Sequence, residues 1–357
     1  MYKGVKLIMA YTTINKSTDY FNTKLWAGNG SSQALTGVGH QTDMVWIKSR
    51  TDTRKHNLYD AIRGVQKRIV PNDFVTEDTV PGVTAFGTDG FTVGSETDTN
   101  GGSRNFVGWS WKANGTGSAN TDGTINSTVS VNTTSGFSIV KYVGNGSGGS
   151  TVGHGLGAVP SAIWLKPLDR ADNWRVYHKN IESSDPEDYF LKFNTSDNRV
   201  DSNDVWNDTA PTSTVFSLGT NAGVIANGEE FIAYCFTEKK GFSKFINYEG
   251  NASTDGPFIY TGFKPAFAIL KISHPGSDSW TIWDNKRAED NVMKKMLRVD
   301  ATNAEDNSDS YKLDFLSNGI KIRASDSKLN ANSSRYVAFI FAENPIVGSN
   351  NIPAVAR

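Results

Sequence analysis

The chain has 357 residues, with 36 Lys and Arg against 37 Asp and Glu for a formal net charge of −1, and no basic tract to track a phosphate backbone, which argues against a nucleic-acid binder. Its apolar runs are far shorter than the ~20 residues a membrane helix needs, and its one cysteine, Cys235, excludes an intrachain disulfide. Thirty-four Gly, 11% aromatics and Ser/Thr/Asn-rich connections predict a turn-rich, all-β protein of two or three domains.

The opening "MYKGVKLIMAYTT" lacks the apolar core and small-residue cleavage site of a secretion signal, and Met9 is an alternative start. Residues 1–19 are expected to form an extended N-terminal arm. From there the chain repeats. "LWAGNGSSQALTGVGHQTDMVWIKSR" (25–50), "KYVGNGSGGSTVGHGLGAVPSAIWLKPL" (141–168) and "NYEGNASTDGPFIYTGFKPAFAILKIS" (247–273) share one plan. An aromatic precedes Gly-Asn and a polar turn; a short strand and a second turn lead to an apolar run ending in Lys48, Lys166 or Lys271. A second block follows each: "HNLYDAIRG" (56–64), "NWRVYHKNI" (173–181) and "SWTIWDNKR" (279–287). A third block closes each: "FVGWSWKA", "FIAYCFTE" and "YVAFIFAE", which align Trp109, Tyr234 and Phe339, then Trp111, Phe236 and Phe341.

The spacing predicts three tandem antiparallel β-sandwich, jelly-roll-like units at 20–115, 136–240 and 241–347, a linker at 116–135 and a C-terminal tail at 348–357. Units two and three meet without a linker, which predicts tight docking. Asp-Gly in "FGTDGFTV" (86–93) and Asn-Gly in "FLSNGIKI" (315–322) predict type I′ hairpins. The middle unit carries a longer loop there, "FSLGTNAGVI" (216–225). "AIWLK" and "FAILK" are apolar at successive positions, as strands buried on both faces are. One face should meet the core and the other a neighbouring unit or subunit. "AIRGVQKRIV" and "NVMKKMLRV" suit either a brief helix or strands.

No chemistry-bearing motif stands out. The five histidines lie in no nucleophile elbow and no His-Glu-x-x-His pair, and no carboxylate pair is singled out, so no enzyme, catalytic residue or cofactor is expected. "DATNAEDNSDSYKLD" (300–314) holds oxygen ligands without calcium-loop spacing, and reads as an acidic solvated loop; no metal is expected. The glycines of "GNGSGGSTVGHGLG" lead into a strand and cannot offer a helix N-terminus to a phosphate. Cys235 reads as a small buried core residue. "WRVYH" (174–178) combines rings and donors that could contact a sugar. Strand alternation sends Trp174 and Val176 to one face and Arg175 and Tyr177 to the other. The block recurs in unit three with Trp283 and Asp284, as packing residues also would. Arg175, Tyr177, His178, Trp283 and Asp284 are therefore the candidate contacts, to a glycan or a neighbouring subunit.

"MAYTTINKSTDYFNTKLWAGNG" (9–30), "TDGFTVG", "WSWKANG", "VGHGLGAVPSAIWLK", "WRVYHK", "WNDTAPTSTVFSLGT", "AYCFTEKKGFSKF", "YTGFKPAFAILK" and "AENPIVGSNNIPAVAR" resemble a group of marine bacteriophage proteins. The resemblance runs from Met9 to the end; the eight residues before it depart from the pattern. It implies a virion structural protein of tail-fibre-like type and supplies no catalytic residues. A tail fibre or receptor-binding component touching host glycans is the expected function, with a capsid decoration protein as the alternative and a polysaccharide-degrading enzyme disfavoured. Expected partners are other virion proteins, further copies in a homo-oligomer and a host surface polysaccharide, with no nucleic acid and no membrane insertion. Synthesis in the host cytoplasm suits a lone Cys.

Overall fold

Met44–Ser49 has no polar face in sequence, and all six of its residues are buried. The same holds for Ala162–Pro167, and for all but the last residue of Phe263–His274. A strand buried on both faces must lie centrally, with a layer on each side. These three strands are the centres of three large antiparallel sheets in the computed structural model, which describes residues 12–345.

The first sheet runs Phe21–Ala27, Asn105–Trp111, Met44–Ser49, Asn57–Asp60. The second contains Phe137–Val143, Glu230–Phe236, Ala162–Pro167 and Arg175–His178 in the same order, and the third Ser243–Glu249, Arg335–Pro345, Phe263–His274 and Thr281–Asp284. Registers equate positions across units: Met44 faces Trp111, Ala162 faces Phe236, and Phe267 faces Phe341. That places Trp109, Tyr234 and Phe339 at equivalent positions, as the sequence repeat predicts. Each large sheet has a small companion, Gln33–Thr36/Gly90–Val93/Val83–Gly87, Thr151–Gly153/Val215–Ser217 or Phe258–Tyr260/Gly319–Ile322/Leu313–Leu316. The fold is an all-β assembly of antiparallel sandwiches.

Two kinds of core follow. One face of each large sheet packs on its own unit, giving separate clusters around Phe91, Phe216 and Phe315. The other faces converge in one shared cluster. Trp46 meets Trp164 at 6.0 Å, Trp111 meets Phe267 at 5.8 Å, and Trp164 meets Phe339 at 5.8 Å, so rings from all three units touch, most of them edge to face. The face expected to meet a neighbouring unit or subunit meets neighbouring units of the same chain. Trp174 and Val176 enter the shared core while Tyr177 enters the unit-two core, as alternation requires.

Several expectations are corrected. The stretch 116–135 is no loose linker: Ser118–Asn120 and Ser127–Asn132 extend the second large sheet. Its polar composition hides an alternation that buries Ile125 and Val129. The described part of the arm lies against the body, with Ile14 in the shared core; residues 1–11 of the arm and the tail 348–357 lie outside the described residues. Of the two alternatives open for residues 61–70 and 291–299, the strand reading holds: they form turns and short strands. The hairpins turn through Thr88–Asp89 and Ser317–Asn318, neither with a positive φ, so they are not type I′. The glycine that follows serves close approach instead. A Cβ on Gly90, at φ 144°, would lie 1.9 Å from the Leu35 carbonyl oxygen of the next strand, and one on Gly319 2.3 Å from that of Ile259.

The repeated Gly-Asn has a similar cause. Gly28, Gly144 and Gly250 each press on the chain just after a four-residue helical turn, where an added Cβ would lie 2.1–2.3 Å from the carbonyl oxygens of Gly101, Ala226 and Ala331. Gly250→Ala is expected to cost about 1–3 kcal/mol by overpacking, read as a lower denaturant midpoint at unchanged slope.

Candidate functional site

All five sequence-nominated residues are buried. Arg175 donates to the Asn173 carbonyl (2.9 Å), pairs with Asp172 (3.2 Å) and lies over the Phe190 ring. Tyr177 packs edge-on against Trp206, and Trp283 donates its indole N–H to Thr281 Oγ1 at 3.1 Å. His178 and Asp284 lie on the shared core. Surface contact with a glycan is therefore corrected for Arg175, His178, Trp283 and Asp284, because strand burial on both faces leaves them no solvent-facing side, whereas Tyr177, 3% exposed, lines a cleft between units two and three. The neighbour that His178 and Asp284 meet is another unit of this chain.

The seams between units repeat one design. His56, Trp174 and Trp280 precede the three outer strands, and each gives a ring N–H to a carbonyl of the adjoining unit: Arg298 (2.8 Å), Val70 (3.0 Å) and Lys192 (2.8 Å). Asp60, His178 and Asp284 end those strands at equivalent positions. Asp60 binds Arg63 and accepts from Tyr234 Oη of unit two at 2.6 Å. Asp284 binds Arg287 and accepts from Trp109 Nε1 of unit one at 3.0 Å. In unit two the residue facing in from unit three is Phe339, which has no hydrogen to give. There the Asp–Arg pair is replaced by His178, edge-on to Phe339 at 4.9 Å, and Ile181. A polar seam thus keeps a buried ion pair, and the apolar seam dispenses with it.

The lysines that end the apolar runs also lie at seams. Lys166 gives its ammonium to the carbonyls of Pro167 (3.1 Å), Asp172 (2.9 Å) and Phe74 of unit one (3.4 Å). Lys271 does the same with Asp278 (2.8 Å) and Ser196 of unit two (3.0 Å). Burial pulls both down to about 8, and Lys48, with the Ser49 carbonyl at 2.8 Å, down to about 7. The sequence pattern marks these lysines without revealing their role.

Four histidines are held neutral by burial, with both ring nitrogens engaged. Nδ1 of His56 accepts from Trp46 Nε1, Nδ1 of His154 from the Leu156 amide, and Nδ1 of His178 from the Asn180 amide, while each Nε2 faces a carbonyl. His40 reverses the roles, with Nδ1 on the Thr18 carbonyl and Nε2 on Ser110 Oγ. Burial pushes His40 down to about 4 and His178 to about 3, with His56 well below and His154 below the ordinary value of 6.5. In the unfolded chain these rings protonate near 6.5, so the stability they contribute is complete above that pH and is lost as pH falls toward 4 and then 3. Thermal midpoints should drop over that window, and ring resonances of His40 and His178 should not titrate between pH 8 and 5.5.

The acidic stretch 300–314 is engaged in ion pairs. Glu305 chelates Arg50 of unit one (3.0 and 3.1 Å) and reaches Arg287 (3.3 Å), while Asp309 takes Lys294 (2.6 Å). Among the described residues no group of three or more His, Cys, Asp or Glu is placed to hold a metal. The Cys235 thiol is buried and pushed up by burial, away from nucleophilic use.

A cleft of about 550 Å³ lies between units two and three. Val159, Pro160, Lys179, Glu238 and Lys244 line it with Tyr260. Lys179 and Lys244 both pair with Glu238, at 2.8 and 2.6 Å. Tyr260 is 53% exposed and Val159 52%. Tyr177, a nominated contact, also lines the cleft; sequence reasoning passed over the others, although the repeat alignment carries one signal: Ser243 stands where the other units have Phe21 and Phe137.

A family model described as "Domain of unknown function (DUF7483)" matches residues 16–345. No curated protein and no solved structure matches the chain.

Proposed function

Since the chain belongs to the DUF7483 family, whose description names no activity, we propose from its own residues that it is a virion surface structural protein, a tail fibre or receptor-binding component that contacts host surface glycans. The observation that carries this reading is the destination of the chemistry-bearing side chains. Buried Asp–Arg pairs, neutral histidines and buried lysines join three units into one body. Recognition, rather than catalysis, is the role left for the surface. The resemblance to marine phage proteins along the chain supplies the particle setting. Partners on this reading are other virion proteins, further copies of the chain and a host polysaccharide, and the protein travels on the virion.

A capsid decoration protein is the second reading, favoured by compact sandwiches without a fibrous stalk among the described residues. Labelled antibody on purified particles, with mass spectrometry of the same particles, tests both. Label at the tail is the expected result; label over the head selects decoration, and absence from particles rejects both.

A further inference from the structure

The three seams share one plan, and at one of them the position of an aromatic plug is vacated. Phe21 plugs the seam between units three and one, against Trp111 at 4.9 Å and Phe341 at 5.1 Å. Phe137 takes the equivalent place in unit two, stacked on Phe236 at 4.9 Å. In unit three the position is Ser243, whose hydroxyl accepts the Lys239 amide at 3.0 Å and fills little space. The crevice beside Phe21 holds about 30 Å³; its counterpart beside Ser243 is the cleft of about 550 Å³. Packing that was available at this seam has been replaced by solvent-accessible volume.

What lines that volume has a chemical bias. Lysines 179 and 244 stand against one carboxylate, Glu238. Glu238 already bridges Lys179 and Lys244, whose side chains are each about a third exposed, and an ammonium has three N–H donors. At the closed seam, Asn285 and Asn22 occupy the positions of Lys179 and Lys244, and Glu343 meets Asn285 at 2.7 Å and Lys264 at 3.5 Å. The edge strand Phe258–Tyr260 turns Phe258 and Tyr260 outward, 45% and 53% exposed, and Tyr260 lines the same cleft as the lysines. An exposed ring stacks on the C–H face of a sugar, and excess ammonium groups favour acidic substituents.

We propose that the cleft between units two and three binds an acidic glycan, a chain of sugar rings bearing carboxylate or sulfate groups, with Tyr260 as the stacking platform and Lys179 and Lys244 as the anion contacts. The proposal rests on the surface-recognition reading and gives it a ligand class and a place.

The test is calorimetric titration of the full chain with alginate oligosaccharide, dextran sulfate oligomer, neutral dextran and single-stranded DNA of matched length. At least one acidic glycan is expected to bind, and neutral dextran is not. Tyr260→Ala, and Lys179→Gln with Lys244→Gln, should each weaken binding about tenfold or more, and Ser243→Phe should weaken it by narrowing the cleft. Tyr260→Ala removes an exposed ring, so it stays informative even if Ser243→Phe fails to fold. No binding of either acidic glycan at millimolar concentration, retained affinity in the Tyr260 and lysine variants, or equal affinity for dextran or DNA would each overturn the proposal. A chain found on particles that fails here loses the cleft and keeps the virion reading; a chain that binds but is absent from particles does the reverse.

Discussion

Asp284→Ala is expected to lower the unfolding free energy by about 3–5 kcal/mol, the cost of removing one partner from a buried ion-pair network. The carboxylate sits at 0% exposure and holds Arg287, the backbone N–H groups of Lys286 (3.1 Å) and Arg287 (2.8 Å), and Trp109 Nε1 across the seam. Alanine would strand the two backbone donors and the indole N–H, and would leave Arg287, itself 1% exposed, to Glu305 at 3.3 Å and the Ile282 carbonyl at 2.9 Å. The chain contains its own control. The unit-two seam handles the equivalent position with His178, Ile181 and Phe339. A triple variant, Asp284→His, Arg287→Ile and Trp109→Phe, transplants that solution, and the Gly108 carbonyl stands where Ala338 accepts from His178. The triple variant should recover more than half of the loss, because removing both charges is far cheaper than removing one. Urea midpoints of the two proteins check this; a triple variant no more stable than Asp284→Ala alone would refute the equivalence of the seams.

Trp164→Ala should cost a similar amount, about 3–5 kcal/mol. Its ring touches Trp46 and Trp111 of unit one, Phe193 and Phe236 of its own unit, and Phe339 of unit three. The indole N–H makes no hydrogen bond, so the loss is one of contact and cavity. Trp164→Phe keeps most of that contact and should cost well under half as much. Because one side chain bridges three units, the loss should be felt by all of them together. The parent chain should melt in a single transition with calorimetric and van't Hoff enthalpies in agreement. Three resolved transitions would show that the shared core does not couple the units.

Much of this architecture is written in local pattern. "AIWLK" and "FAILK" announce strands buried twice because no residue in them tolerates water. The aromatic triplets Trp109/Tyr234/Phe339 and Trp111/Phe236/Phe341 align in sequence and in register alike. Alternation placed Trp174 apart from Tyr177 correctly. Other features were misleading for physical reasons. Ser and Thr fit an edge strand as well as a loop, so 116–135 looked like a linker. Asp-Gly suits a I′ turn, yet at Gly90 the glycine answers to a neighbouring carbonyl that belongs to a strand over 50 residues earlier. "WRVYH" carried the chemistry of a contact site and turned out to be enclosed, since local sequence reports what a side chain could bind and not whether solvent reaches it.

Sequence alone determined three repeated strand blocks, their inward and outward faces, and the burial of both faces of the central strands. Only the tertiary structure decided what covers the second face, that ion pairs and neutral imidazoles lock the seams, and that the seam at Ser243 stays open. Hydrophobic burial is non-directional, so periodicity states that a face must be covered without naming its partner. Hydrogen bonds and ion pairs are directional, and their partners here, such as Trp109 and Asp284, lie far apart along the chain and meet only when the three sheets close on one another.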